Sequence, residues 1–392
     1  MSISVTAKIP YGNVCDVRVT EAGKTTEVRF AADPHGGPES LWFCFRVEEE
    51  GKRLSPRSKV ELTLSHSTNV LGGGRPLAFR PVLRAADGDW ERLGPPAVEQ
   101  LPDGRRLVSW VVDAPRRFFD VALCYPYGMA EVETLVRETG NFWRADVIGV
   151  SQQARPLVRL SNDCGKKRGR RAGLYLTARQ HSGETPGSWV LDGFLRHMAT
   201  LGEDAPLIWA LPLTNIDGVE QGDYGKDNFP YDLNRAWGMV PMRHETLVFQ
   251  RDVARWKERC RPVLGLDFHA PGGTEKDGIF AYVPDPETSP EKYNTALAWN
   301  AGIRKALTRR YAAEDFNRVA RYRSRWETPD FTDYICQAVD VCGFTFETPY
   351  ALAGRLVFTR EDYRDAGKRI ATAVMTKLRR EFPSPLRGGG LG

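Results

Sequence analysis

Over the first third of the chain, apolar residues alternate with polar ones or gather in short blocks. Residues 41–47, 60–64, 107–112 and 118–123 read as strands, with turn clusters such as Gly72-Gly73-Gly74 and Asp87-Gly88 between them. Short strands, frequent turns and no helical periodicity predict a β-sandwich. The pattern changes near Tyr125-Pro126-Tyr127-Gly128. Residues 130–138 have helical spacing, with Val132, Leu135 and Val136 on one side.

Beyond that point, apolar runs at 174–176, 207–211, 263–266 and 344–346 are separated by helical segments. One segment follows Thr185-Pro186, read as an N-cap with proline at the first helical position; Val190, Leu191, Phe194, Leu195 and Met198 form its core-facing stripe. Strand–helix alternation predicts an α/β fold with a mixed, mainly parallel sheet flanked by helices. The expected division is a β-sandwich domain over 1–126, a catalytic domain over 127–382 and a flexible Pro/Gly-rich tail over 383–392.

Composition narrows the class. The 392 residues are 41% hydrophobic and 27% charged, which fits a globular chain long enough for two domains. The 55 basic and 50 acidic residues are mixed along the chain, so the net charge of +5 does not suggest a nucleic-acid partner. The basic run Lys166-Lys167-Arg168-Gly169-Arg170-Arg171 lies between two expected strands and reads as a solvated loop. Seven scattered cysteines form no C-x-x-C pair, which favours buried reduced thiols over disulfides or a thiolate metal site. The first residues lack a secretory pattern, and no apolar run reaches membrane-spanning length. The expectation is a cytoplasmic protein with no membrane partner.

Four motifs carry chemistry. Gln180-His181-Ser182-Gly183-Glu184 follows a strand, and an H-x-x-E pair can fold an imidazole and a carboxylate onto one metal ion, leaving the site open for a third ligand and water. Alone it is a weak signal. Leu266-Asp267-Phe268-His269 delivers a second histidine at a strand end. Each histidine by itself reads better as an ordinary core or surface residue. Two of the chain's six at the carboxyl ends of expected parallel strands, where α/β sheets bind ligands, read together as a site. Phe344-Thr345-Phe346-Glu347 ends an apolar strand in a carboxylate, either a solvated strand end or a general base. The fourth motif runs through Asn215-Ile216-Asp217-Gly218-Val219 to Tyr231-Asp232-Leu233-Asn234-Arg235, where an Asn-Arg pair suits carboxylate binding, although the dipeptide alone reads better as an ordinary loop ion pair.

In this order the motifs resemble the zinc carboxypeptidases, in particular the cytosolic carboxypeptidase branch. That family's H-P-G-E-T appears as His181-Ser182-Gly183-Glu184-Thr185, its N-P-D-G-V as Asn215-Ile216-Asp217-Gly218-Val219, and its D-L-N-R unchanged as Asp232 to Arg235. Leu41-Trp42-Phe43-Cys44-Phe45-Arg46-Val47 and Tyr125-Pro126-Tyr127 are similar to the branch's leading β-domain. The resemblance implies one Zn2+ per chain held by His181, Glu184 and His269, with Glu347 activating water. It implies that Asn234 and Arg235 grip a substrate carboxylate and that Asp232 orients the first histidine. The family's oxyanion arginine would fall at Gly225, which leaves Lys226 as its expected substitute. Tyr322 is the expected substrate-covering tyrosine, with Tyr334 competing.

The implied activity is hydrolysis of the C-terminal peptide bond of a peptide or protein. Deacylation of N-acyl amino acids by the same site, and a non-catalytic peptide-binding protein, are the alternatives. Acidic termini are common substrates in that branch, and Arg321, Arg323 and Arg325 are the basic residues nearest in sequence to the expected tyrosine.

Overall fold

The computed structural model describes residues 2–50, 58–115, 117–228, 231–321 and 325–382. Tyr322, Arg323 and the expected tail over 383–392 lie outside them.

Two five-stranded sheets occupy the first third. One orders its strands Ser2–Thr6, Cys44–Glu50, Phe118–Ala122, Val82–Ala85, Glu91–Arg92; the other orders Cys15–Ala22, Thr25–Ala31, Lys59–Leu64, Arg106–Asp113, Ala97–Gln100. Their inner faces meet through Phe30 of one sheet and Phe45 of the other, with ring centroids 4.7 Å apart, and Phe43 packs 5.2 Å from Phe30. This is the expected sandwich. The strand expected at 41–47 begins instead at Cys44 and runs to Glu50. Leu41, Trp42 and Phe43 are buried outside any strand, so their apolar run reflects packing rather than a strand's period.

Residues 121–128 are continuously buried and lead into the helix Met129–Glu138. The central eight-stranded sheet has the order Arg144–Val150, Pro156–Ser161, Leu207–Leu211, Ala172–Ala178, Arg261–His269, Cys342–Glu347, Ile279–Tyr282, Ala312–Arg318. The four middle strands, Leu207–Leu211 to Cys342–Glu347, are mutually parallel. Antiparallel pairings join the flanking strands to them. The near-continuous apolar character of the middle strands is what burial on both faces demands.

Helix Arg360–Glu381 packs against both Thr185–Ala199 and Pro290–Tyr311, while His244–Arg259 packs on strands of the sheet. Helix Thr185–Ala199 starts one position earlier than expected. Glu184 is its N-cap and Thr185 its first helical residue. Among the cysteines, five are buried, Cys15 is partly so and Cys164 is exposed. No helix among the described residues is long and apolar enough to cross a membrane.

Candidate metal centre and substrate cavity

Strand register assembles the site. Thr177 lies opposite Asp267, and His269 opposite Glu347, so three neighbouring strand ends deliver their side chains to one place. After Ala178 the chain turns at Arg179, whose φ is 64°, and its buried guanidinium donates to the Tyr127 carbonyl at 2.8 Å. The next turn closes at Gly183, where any Cβ would lie 2.8 Å from Tyr224 and 2.9 Å from Trp42. Only glycine lets this loop seat.

The loop brings His181 and Glu184 to His269. Glu184 Oε1 is 2.9 Å from His181 Nδ1, and Oε2 is 2.7 Å from His269 Nδ1. All three residues are buried, with ligand atoms within 4.8 Å of one another. The other ring nitrogens face carboxylates. His269 Nε2 is 2.9 Å from Asp267 Oδ2. His181 Nε2 is 3.3 Å from Asp232 Oδ1, though out of line for a hydrogen bond. Carboxylates behind imidazoles fix ring orientation and basicity at metal sites. Thr177 Oγ1 donates to Asp267 at 2.7 Å, and Gln180 Nε2 at 3.3 Å. Sequence reading missed Asp267, although its two-residue spacing from His269 on a strand puts both on one face.

The electrostatics suit a cation. Burial pushes the His269 imidazole toward neutrality, but the Asp267 and Glu184 carboxylates overcome this and hold its pKa well above the usual histidine range. His181 is raised by the same opposition, with Glu184 and Asp232 outweighing burial. Burial alone would raise the Glu184 pKa, yet the two imidazoles hold it far below the carboxylate norm. Two imidazole nitrogens and a carboxylate oxygen, converging with carboxylates behind the rings, fit a divalent metal of zinc's type.

Beside this cluster, Glu347 Oε2 is buried with no hydrogen-bond partner among the described residues. Burial, then repulsion from Glu184, raise its pKa to about 7 against the pull of His269 and Lys226. A buried carboxylate oxygen left unpaired is costly, and its place next to candidate metal ligands makes it a functional candidate. Gly225 has a φ of 85°, and a Cβ there would lie 2.3 Å from Ser182 Oγ and 2.6 Å from Ser182 N. No arginine can occupy this position. Lys226, one residue on, lines the cavity with Glu347.

Asp232 caps the short turn Leu233–Arg235 through the Asn234 N–H at 2.8 Å. The Asn234 amide reaches His269 Nε2 at 3.3 Å, and its oxygen accepts the Phe331 N–H at 3.1 Å. Arg235 Nη1 donates to the Asn234 carbonyl at 2.8 Å, and both side chains line the cavity. Tyr334 instead packs on Trp237, with ring centroids 5.5 Å apart.

The cavity, of about 190 Å³, runs from the metal-ligand cluster past Glu347 and Thr345 to Thr332, Asp333 and Cys336. Of the arginines read near Tyr322, Arg325 turns away to Asp227 at 3.5 Å and Glu39 at 3.6 Å. Arg321 does not line the cavity.

Comparisons with known proteins bear on the fold and the sequence as a whole. No family model matches the chain. It is 28% identical over 275 residues to cytosolic carboxypeptidase 2 of Danio rerio, covering 62% of this chain and 37% of that protein. Human cytosolic carboxypeptidase 6 is 26% identical over 367 residues, covering 86% and 71%. The chain thus spans about a third of the length of the first relative. A metallo-carboxypeptidase from Burkholderia cenocepacia shares the fold with a TM-score of 0.76 at 16% identity, covering 97% of this chain and 100% of that one. One from Pseudomonas aeruginosa, solved with (2-guanidinoethylmercapto)succinic acid, gives 0.71 at 19% identity, covering 96% and 99%. The resemblance read from the motifs holds: the chain is similar in sequence to cytosolic carboxypeptidases and in fold to metallo-carboxypeptidases.

Proposed function

We propose that this chain is a zinc-dependent metallocarboxypeptidase that hydrolyses the C-terminal peptide bond of a peptide or protein substrate. The observation that carries the reading is the convergence of His181, Glu184 and His269 beside Glu347, whose Oε2 has no hydrogen-bond partner among the described residues, in a cavity that Lys226 and Arg235 also line. Binding a peptide needs no unpaired buried carboxylate; activating water does.

Under this reading His181, Glu184 and His269 hold one zinc ion, with Asp232 and Asp267 orienting the two imidazoles. The ion would supply a Lewis acid and bring the pKa of a coordinated water near 7. Arg235 presents a planar fork to the substrate's terminal carboxylate, with Asn234 beside it. Glu347 takes a proton from the attacking water as its oxygen bonds to the scissile carbonyl carbon, then passes that proton to the departing amine. Lys226 opposes the negative charge that develops on the carbonyl oxygen, as a point charge without arginine's fork. We place the protein in the cytoplasm, in line with the names of its relatives.

The test is the metal content of the purified chain, with turnover of C-terminal peptides before and after chelation. About one zinc per chain, with release of the terminal residue lost on chelation and restored by zinc, is expected. A chain that binds no zinc, or that releases no terminal residue when zinc-loaded, overturns the reading. Lys226→Ala with full turnover would remove Lys226 from the mechanism and leave the rest standing.

A further inference from the structure

We propose that a second cavity, at the end of helix Pro290–Tyr311, is a binding site for a small soluble anion carrying several phosphate groups. It is a basin of about 740 Å³ that shares no lining residue with the metal-ligand cavity.

Three separate parts of the chain build it. The last turns of helix Pro290–Tyr311 supply Arg304, Lys305 and Arg309. The strand Ala312–Arg318 begins with the small residues Ala312 and Ala313, which take up little of the space. The fourth cation, Arg355, stands at the tip of the hairpin that pairs Leu352 with Val357 and Ala353 with Leu356. That tip is anchored, because the Gly354 N–H donates to the Lys276 carbonyl at 2.6 Å and Asp277 bridges to Ala353. Cations from two elements around small residues leave a concave space of the size that holds a small ligand.

The charges are out of balance without an anion. Against four cations, the lining has two carboxylates, Asp277 and Glu314, and Asp277 lies 3.8 Å from Arg75. Lys305 and Arg309 are one helical turn apart, where like charges repel. Arg304 Nη2 donates to the Glu314 carbonyl at 2.7 Å, which fixes its guanidinium beside the basin. A helix dipole favours cations in the last turn, and that accounts for Arg309. It does not account for Arg355, which arrives on the hairpin.

The backbone points to the same place. Thr308, also in the lining, has φ 58° and ψ 177°, a combination taken almost only by glycine and costly for a branched side chain. Strain of this kind persists where the surroundings enforce it, and it gathers at ligand sites. Here it breaks the helix between Lys305 and Arg309. Beyond the break, Arg310 Nη2 reaches Asp362 at 2.6 Å while Arg309 lines the basin.

Convergent cations select a compact anion of high charge density. Guanidinium groups match phosphate oxygens two at a time, and an ammonium adds a point charge. An extended acidic peptide would be met by cations in a row rather than around a basin. No aromatic side chain lines the space among the described residues, so nothing there would stack a nucleobase. The chemistry that fits is a polyphosphate without a base. All four cations are exposed, so binding should weaken as salt rises.

The experiment titrates the zinc-loaded full chain with inorganic tripolyphosphate in a calorimeter at low salt. Arg309→Gln and Arg355→Gln should each weaken binding about tenfold, the lower end for a charge-assisted hydrogen bond at an exposed site. Lys167→Gln, in the basic run away from the basin, should leave it unchanged. Tripolyphosphate also sequesters zinc, equally for every variant, so differences between variants report the basin. Both site residues are exposed, and melting temperatures equal to the parent's would show that the variants fold. No binding by the parent overturns the proposal, and so does a loss in Lys167→Gln as large as at the two arginines, which would mean diffuse attraction. Tighter binding of a glutamate peptide of matched charge, or of vesicles bearing a bisphosphorylated inositol lipid, would overturn the soluble polyphosphate as ligand. None of these outcomes depends on peptide turnover, so the proposal and the carboxypeptidase reading stand or fall separately.

Discussion

Two strand carboxylates of this molecule, Asp120 and Glu347, are treated in opposite ways. Asp120, in the sandwich strand Phe118–Ala122, is clasped by Arg46 at 2.7 Å and Arg84 at 2.8 Å. Glu347, at the end of Cys342–Glu347, keeps a buried oxygen without a hydrogen-bond partner among the described residues, and its pKa is raised to about 7 by burial and by Glu184. In sequence the two look alike, Phe-Phe-Asp-Val-Ala against Phe-Thr-Phe-Glu. The difference is what the fold has done with the charge. Where a buried carboxylate is fully satisfied it belongs to the structure. Where it is left unpaired among candidate metal ligands, the cost falls on stability and the return is reactivity.

The largest expected effect breaks the pair on the reactive side. Glu347→Gln should lower kcat about 10²–10⁴-fold, the usual span for a lost general base, while zinc content holds at the parent value. Its melting temperature should hold or rise, because the substitution removes a buried, unpaired charge. A fall in melting temperature with turnover retained would place Glu347 with Asp120 among structural carboxylates.

The reciprocal change tests the structural side. Asp120→Asn leaves Arg46 and Arg84 without their counter-ion. Their side chains are 25% and 42% exposed, so water can take up part of the loss, and about 1–3 kcal/mol of stability is expected to go. Denaturant unfolding measures this, and turnover per folded molecule should match the parent. A drop in turnover per folded molecule would mean that the sandwich feels the site more than the contacts describe.

How much of this was legible beforehand follows the same division. The parallel strands and the helix at Thr185 announced themselves because long apolar runs and 3.6-residue stripes are local signals. His181, Glu184, His269 and Glu347 could be read because each sits at a strand end in a recognisable motif. Asp267 lay in view within Leu-Asp-Phe-His, yet nothing local says which strand pairs with which, and its contacts with Thr177 and Gln180 exist only once Ala172–Ala178 and Arg261–His269 are adjacent. The missing arginine could be counted from the motifs. Its cause, the approach of Gly225 to Ser182 across the site, could not. The pairing of Arg325 with Glu39 is also beyond sequence reading, since it joins positions 286 residues apart.

Asp267 sharpens the comparison at intermediate scale, because it is a satisfied carboxylate placed inside the reactive region. Asp267→Asn keeps the shape and can still meet Thr177, but loses the charge behind His269. Zinc affinity should weaken about 10–100-fold, as for other carboxylates behind metal-binding imidazoles, and competition with a chelator of known affinity reads it. Unchanged affinity would assign Asp267 to packing.

The smallest expected effect lies where the two regions touch. Trp42 is buried just before the sandwich strand Cys44–Glu50, its Cβ lies against the position where a Gly183 side chain would begin, and its indole N–H donates to the Tyr11 carbonyl at 2.9 Å. Trp42→Phe preserves the Cβ and most of the apolar surface while removing the donor. A lost hydrogen bond of this kind costs about 1 kcal/mol, and the smaller ring adds a fraction of that. Because Gly183 sits between His181 and Glu184, a loop held in place by packing should keep its zinc affinity in Trp42→Phe. A loss of zinc affinity larger than the loss of stability would mean that the sandwich sets the ligand geometry directly, and that the two regions are one functional unit.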